Sequence, residues 1–518
     1  MAESRVHKSL LNAKVNLIFY FITLLLSFFS RKIFLECLGD DFVGLTGTIG
    51  NLLNFLNLAE LGVGTAIGTV LYKPLFDKDQ EKINGIISVF GYIYRIIGLC
   101  ILGAGVVLSL FLPLIFPDTP FDFALIYFVY YSFLTSTLIG YFANYKQSLL
   151  GADQRNYVVT AYFQSASLVK TVIQMVLVYY IRNYFLWVGI ELLFGVIYSI
   201  ILNWKIKQVY PWLSSNIKEG RRLNKKYPLI MKYSRQLFIH KMGTLVQFQI
   251  KPLLIYAFVS LKVVAFYGNY ALIIDKLAAL VNNVLGSTSA GVGSLIAEGD
   301  KDKMKKVFWE LISLRYYIAG ILVFSVYYLA NPFIVLWVGS EYVLGSEILV
   351  IILCETFIVQ TRGVVDQFNS GFGLFSDIWA PGAEVVISLS VAFIGGHFWG
   401  LAGVLSGSVV SMFFIIVLWK PCLLYLKGFR EPVLPYWITV GKFLLIIAVA
   451  WVLVYFLVVL RLPVIPSKGY LSWLLYALLV TLPFAVLSFL LMYLSSRGMR
   501  DLTQRIGSKI IKRRNRNG

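Results

Sequence analysis

Along most of this chain apolar residues fill whole segments, with short polar stretches between them, and they do not mark out one face of an amphipathic helix. Such runs reach the roughly 20 residues a helix needs to cross a bilayer core, and a helix satisfies its own backbone in lipid. On that criterion about fourteen spans are predicted. They cover residues 11–30, 44–71, 84–116, 123–149, 158–181, 184–204, 236–259, 265–297, 306–330, 344–369, 378–397, 399–426, 434–460 and 470–494. What remains is too short for a soluble domain, and the outside loops, such as PDTPFD and RLPVIPSKG, are short as well.

Two stretches repeat one another: GTAIGTVLYKPLFDKDQEKI, with Asp77-Lys78-Asp79, and SAGVGSLIAEGDKDKMKKVF, with Asp300-Lys301-Asp302. SLLGADQRNYVV after span four and NSGFGLFSDIWA after span ten keep nearly the same offset. The pattern predicts two six-helix halves, residues 1–204 and 236–427. An even number of spans per half makes the repeat parallel, about an axis along the membrane normal, and substrate paths in such proteins run near the midplane between repeats. Residues 205–235 form a basic cytoplasmic linker that suits an interfacial amphipathic helix. Residues 428–494 add spans thirteen and fourteen outside the duplication, and 495–518 are a basic tail. The Asp-Lys-Asp triplets are read as solvated register marks, not as chemistry.

Composition supports the same picture. Hydrophobic residues make up 58% of the 518 and charged residues 14%, against about 25% charged in soluble proteins; mean hydropathy is +0.77. The net charge of +20 sits at membrane edges, between Lys205 and Arg235 and between Arg497 and Arg516. Topology and anionic head groups explain it better than nucleic acid does. Far more Lys and Arg fall on inside segments than in outside loops, which places both termini in the cytoplasm. The N-terminus lacks an A-x-A cleavage pattern, so span one is expected to stay. Cys37, Cys100, Cys354 and Cys422 are scattered, with no metal or redox spacing.

A charge at mid-membrane costs roughly 2.5–3.5 kcal/mol on insertion scales, so intramembrane polar residues are the functional candidates. Span one carries Asn12, Asn16, Tyr20, Thr23, Ser27 and Arg31 at helical spacing, and span seven carries Lys241, Gln247, Gln249 and Lys251. On span eight Asn269, Lys276 and Asn283 recur every seven residues, with Asp275 beside them. Lys170 lies in span five among Gln164, Ser167, Thr171 and Gln174. Arg31, Lys170, Lys241, Lys251 and Lys276 outnumber Glu60, Asp275 and Glu191 in the first eight spans, which points to an anionic ligand. Arg95 and Arg315 are read as snorkelling side chains. Glu355, Arg362, Asp366 and Asn369 share one face of span ten, Arg362 and Asp366 being an i, i+4 pair. With Glu60, Asp275 and Glu384 these charges serve equally as packing ion pairs or as gating and ion-coupling groups.

Enzyme chemistry finds little support. GVGTAIG lies inside a span without the strand or acidic residue of a dinucleotide fingerprint, no Walker A sequence occurs, and His7, His240 and His397 form no metal motif. No metal or cofactor is expected.

SRKIFLECLGDDFVGLTGTIGNLLNFLNLAELGVGTAI in spans one and two, and LLGADQRNYVV after span four, resemble the polysaccharide-transport family of Wzx-like oligosaccharide flippases, in the multidrug/oligosaccharidyl-lipid/polysaccharide (MOP) superfamily. The likeness runs from about residue 9 to 425 and is strongest in the first two hundred. It implies a MATE-like all-α fold and a bacterial inner-membrane protein that moves undecaprenyl-diphosphate-linked oligosaccharide to the periplasmic leaflet. It also implies coupling to a H+ or Na+ gradient and work alongside a polymerase and other glycan-assembly proteins. The alternatives are a multidrug or cation exporter, for which twelve spans and an acidic cavity are expected, a lipid II-type flippase, and a membrane polymerase or ligase of the same pathway.

Overall fold

The computed structural model describes residues 5–56, 63, 70–71, 74–117, 119–153, 155–224, 249–285, 292, 295–296, 298–374, 377 and 379–517. Every regular element among them is helical. The first group is α1 (Arg5–Leu38), α2 (Asp40–Leu56), α3 (Gln80–Ser109), α4 (Phe123–Phe142), α5 (Asn156–Ile181) and α6 (Tyr184–Val209). Then come α7 (Lys251–Phe258), α8 (Leu261–Leu285), α9 (Lys301–Trp337), α10 (Ser346–Gly371), α11 (Trp379–Phe429), α12 (Leu434–Leu457), α13 (Tyr470–Ser495) and α14 (Arg497–Asn517). Eleven of the described helices are long and apolar enough to cross a membrane. α12 and α13 expose Leu445, Leu471, Leu482 and Leu494, which a soluble protein would bury. The chain is an all-α, multi-pass membrane protein.

α11 is 51 residues long, about 76 Å at 1.5 Å per residue and far more than one crossing needs. It holds both spans predicted over 378–426. Gly400 breaks it, with φ 52° and ψ −125°, a region that glycine reaches without the β-carbon clash of other residues. The two arms then fold back on one another through small residues. A β-carbon on Gly403 would lie 1.9 Å from the carbonyl oxygen of Gly395, and Gly407 meets Ser388 and Ala392 in the same way. Close backbone approach of this kind is how helices associate where lipid removes the hydrophobic drive. The second arm is π-helical over Phe413–Trp419 and Leu424–Phe429. α2 and α7 are the described parts of the predicted spans 44–71 and 236–259, so the helices are in keeping with about fourteen crossings.

The duplicated acidic stretches turn out to be helix caps. Asp79 caps α3 by accepting from the backbone N–H of Lys82, and Asp300 caps α9 by accepting from that of Lys303, both at 3.0 Å. Each follows a residue in the left-handed region, Lys78 (φ 56°) and Gly299 (φ 79°). Structurally equivalent caps are therefore Asp79 and Asp300, two residues out of register with the matched Asp-Lys-Asp triplets. Hydrogen bonding to Lys82 holds the Asp79 carboxyl below the usual carboxylate range.

The chain divides into two compact units, Met1–Ala265 and Phe266–Gly518. In the first, α1 packs along α5, α4 against α3 and α6, and α5 against α6, around a core that includes Phe42, Phe90 and Tyr130. Within the linker, α6 runs on to Val209 and a short helix, Ile217–Leu223, is set against α3, where Ser88 accepts from the N–H of Asn216 and Asn84 from that of Ser214. In the second unit α9 is central, packed on α10, α13 and α14. Phe308 meets Phe368 and Phe429 edge-on, and Phe324 stacks on Phe484 at 3.9 Å. The tail is docked through α14: Met499 and Leu502 are buried, Ser496 bonds Ser313, and Arg505 reaches the buried Glu310 at 2.9 Å.

Candidate functional site

The cationic candidates fall in both units. In the first, Arg31 on α1 donates from Nη2 to the backbone oxygen of Ala265 at 2.9 Å, fastening α1 to the first turn of α8. Lys251 opens α7 and is 4% exposed. Lys170 on α5 pairs with Glu191 on α6 at 2.5 Å. The other carboxylate oxygen of Glu191 accepts from Gln174, which also donates to the Trp187 carbonyl. Its charge is thus neutralised across the α5–α6 contact, which a tally of cations against acids in the sequence does not reveal. Lys241, Gln247 and Glu60 lie outside the described residues.

In the second unit the α8 stripe has an enclosed and an open end. Asn269 is fully buried, Lys276 half-buried and Asp275 exposed; the side chain of Asn283 lies outside the described residues. Next to Asn269, buried Tyr270 donates to Asn331 at 2.6 Å and accepts from the N–H of Leu344 at 3.0 Å, anchoring α8 to α9 and the loop after it.

Span ten brings three of the gating candidates together. Arg362 bonds Asp366 through Nε at 2.7 Å, as the i, i+4 spacing predicts, and also interacts electrostatically with Glu384 on α11. One guanidinium thus faces two carboxylates inside the second unit. Glu355, two turns earlier on α10, is buried. Asn369 donates to the Lys420 carbonyl at 3.3 Å, so it joins α10 to α11.

Several polar contacts escaped the sequence reading. Arg95 is exposed, as a snorkelling side chain should be, but Arg315 is 6% exposed and does not snorkel; it donates to Asn282 on α8. At helix ends, Asp153 accepts from Tyr210 at 2.9 Å, and buried Asp377 accepts from Lys420 at 2.6 Å and from Trp419 at 3.2 Å. These two acids lie in the corresponding Gly-bearing stretches SLLGADQRNYVV and NSGFGLFSDIWA, so the repeat includes a tertiary contact as well as a turn. Partners separated by some fifty residues leave no local spacing to find them by.

The second unit also holds an apolar groove of about 880 Å³. α9 contributes Tyr327 and Tyr328, α10 Cys354 and Phe357, α11 Phe413, and α12 Leu444 and Trp451. Trp451 donates to the Tyr328 hydroxyl at 3.1 Å, which fixes the indole in the wall. A wall of the groove therefore belongs to a helix outside the duplicated halves.

No protein-family model matches this sequence, and no curated protein does. Solved structures do. The lipid II flippase MurJ in an inward closed conformation matches with a TM-score of 0.61 and 14% identity, over 91% of this chain and 98% of that one. An inward-facing multidrug resistance MATE family transporter of the MOP superfamily matches with a TM-score of 0.56 and 14% identity, over 79% of this chain and 97% of that one. This chain has the MurJ and MATE fold. Identity at this level establishes the architecture; substrate has to be argued from the residues.

Proposed function

We propose that the protein is a flippase. It moves undecaprenyl-diphosphate-linked oligosaccharide repeat units from the cytoplasmic to the outer leaflet of a bacterial inner membrane by alternating access, for O-antigen, capsule or exopolysaccharide assembly, with both termini cytoplasmic. The observation that carries this is the extent of the structural match. A nearly complete MATE transporter accounts for 79% of the chain, while the lipid II flippase accounts for 91%. In this chain α12, outside the duplicated halves, helps to build the apolar groove, which suits a long isoprenoid tail better than a small drug cation. Lys276, half-buried on α8 in the second unit, is the candidate cation for the diphosphate. The Arg362, Asp366 and Glu384 cluster, with a guanidinium and carboxylates on two helices, is the candidate place where a proton or Na+ gradient would bias the two states. Membrane lipids and a glycan polymerase are the expected partners.

Deletion of the gene tests this directly. Surface glycan should be lost while full-length lipid-linked units accumulate on the cytoplasmic face; accumulation on the periplasmic face, or truncated units, would refute it. The MurJ likeness favours one competing reading, a lipid II flippase. In that case depletion would lyse cells while surface glycan persists until lysis.

A further inference from the structure

Among the described residues Arg315 is a buried guanidinium with no carboxylate paired to it. Arg315 lies 6% exposed in the apolar body of α9. Its Nη1 donates to Oδ1 of Asn282 at 3.1 Å. The guanidinium rests against α10 at Gly363, where a β-carbon would come 3.2 Å from Cζ and Nη2. Among the described residues no carboxylate pairs with it. Three other cations in or near the spans are matched: Lys170 by Glu191, Arg362 by Asp366 and Lys420 by Asp377. One turn before Gly363 on α10, Gln360 is 1% exposed, and neither its amide oxygen nor its nitrogen has a hydrogen-bond partner among the described residues.

A charge left desolvated and unpaired is destabilising, and a buried amide with nothing bonded adds to that penalty. Both penalties fall if an anion enters. The groups on hand can donate: the remaining N–H groups of the guanidinium fork, Nδ2 of Asn282, whose oxygen Arg315 already occupies, and, one turn from Gly363 on the same helix, Nε2 of Gln360. Among the described residues no carboxylate oxygen pairs with this guanidinium to offer a cation a ligand. The planar fork fits two oxygens of one phosphate side by side, which a spherical ion cannot offer. Asn282 is exposed, so the cluster is open on its α8 side, and Gly363 provides the room in which the fork lies.

We infer that Arg315, Asn282 and Gln360 form a binding site for a phosphate-class oxyanion in the second unit. The oxyanion is either a free phosphate or the phosphate of a lipid. A carrier-lipid phosphate would tie the site to the flippase reading, on which that choice of source rests; binding is measured without transport, so either can fail alone.

The test uses the full-length protein in phosphatidylcholine nanodiscs, with thermal unfolding followed at fixed ionic strength. One arm titrates inorganic phosphate against chloride, and the other adds undecaprenyl phosphate to the disc. A ligand that binds only the folded state raises the midpoint. The wild type should respond in at least one arm: a response to inorganic phosphate identifies a free anion, and one confined to the lipid arm identifies a head group. Asn282→Asp puts a carboxylate on the guanidinium, so it should be at least as stable as wild type yet bind at least about tenfold more weakly, a 1.4 kcal/mol change. Gln360→Leu removes a donor without altering charge and should weaken binding severalfold. No midpoint shift in either arm, or an undiminished shift in Asn282→Asp, overturns the site.

Discussion

Gly403→Ala adds one methyl group at the point where the two arms of α11 touch. The new β-carbon would lie 1.9 Å from the Gly395 carbonyl oxygen and 2.0 Å from its carbon, while contacts under 3.0 Å are essentially never seen. The obstacle is backbone, so no rotamer change relieves it, and the arms must part by about 1.1 Å. Overpacking of a tight contact costs typically about 1–3 kcal/mol, occasionally more, and the upper part of that range is expected here because two helices must shift. Gly382→Ala, on the same helix with nothing within 4 Å, is the control; removing a helical glycine there should be neutral or stabilising by about 0.5–1 kcal/mol. Thermal unfolding of the two purified variants in detergent gives the comparison. Glu384 lies one turn before Ser388, which Gly407 contacts, so parting the arms should also shift Glu384 relative to Arg362 and reduce transport. If Gly403→Ala unfolds at the midpoint of Gly382→Ala, the hairpin contact at Gly400 is wrong.

Other outcomes follow from particular contacts. Lys170→Ala should destabilise by about 1–3 kcal/mol, because Glu191 is left half-buried and unpaired, while Lys170→Met with Glu191→Gln should recover most of that stability in a thermal melt and retain transport. Arg362→Ala and Asp366→Ala should each lower transport about tenfold, a 1.4 kcal/mol bias on a two-state equilibrium; unaltered transport would reduce the pair to packing. A lipophilic thiol reagent should inhibit the wild type through Cys354 in the groove and spare Cys354→Ser; equal inhibition of both would remove the groove from the substrate path. Asp79, with its pKa held down by Lys82, should cap α3 fully above the ordinary carboxylate value of about 3.9. That cap should be lost only as pH falls through the lowered folded value, so the amide hydrogen exchange of Lys82 should show no cap-dependent step between pH 5 and 8.

The sequence by itself determined the solvent this protein lives in, its all-helical class, the approximate number of crossings and the i, i+4 pairing of Arg362 with Asp366. Each of these follows from neighbours in the chain: an apolar run must span lipid as a helix, and residues four apart share a face. It also located the duplicated acidic stretches, although their true register, Asp79 with Asp300, emerged from cap geometry and not from matching letters. Tertiary structure decided which charges remain unmatched. Lys170 counted as a cavity cation until Glu191 was found across the helix contact, and Arg315 counted as a snorkelling side chain until it was found turned inward onto Asn282 and Gly363. Folding brings together residues separated by between 21 and 48 positions in these clusters, and no local pattern encodes such a distance. In lipid the energy of a charge depends on what stands opposite it, so the chemistry of these spans is settled by packing.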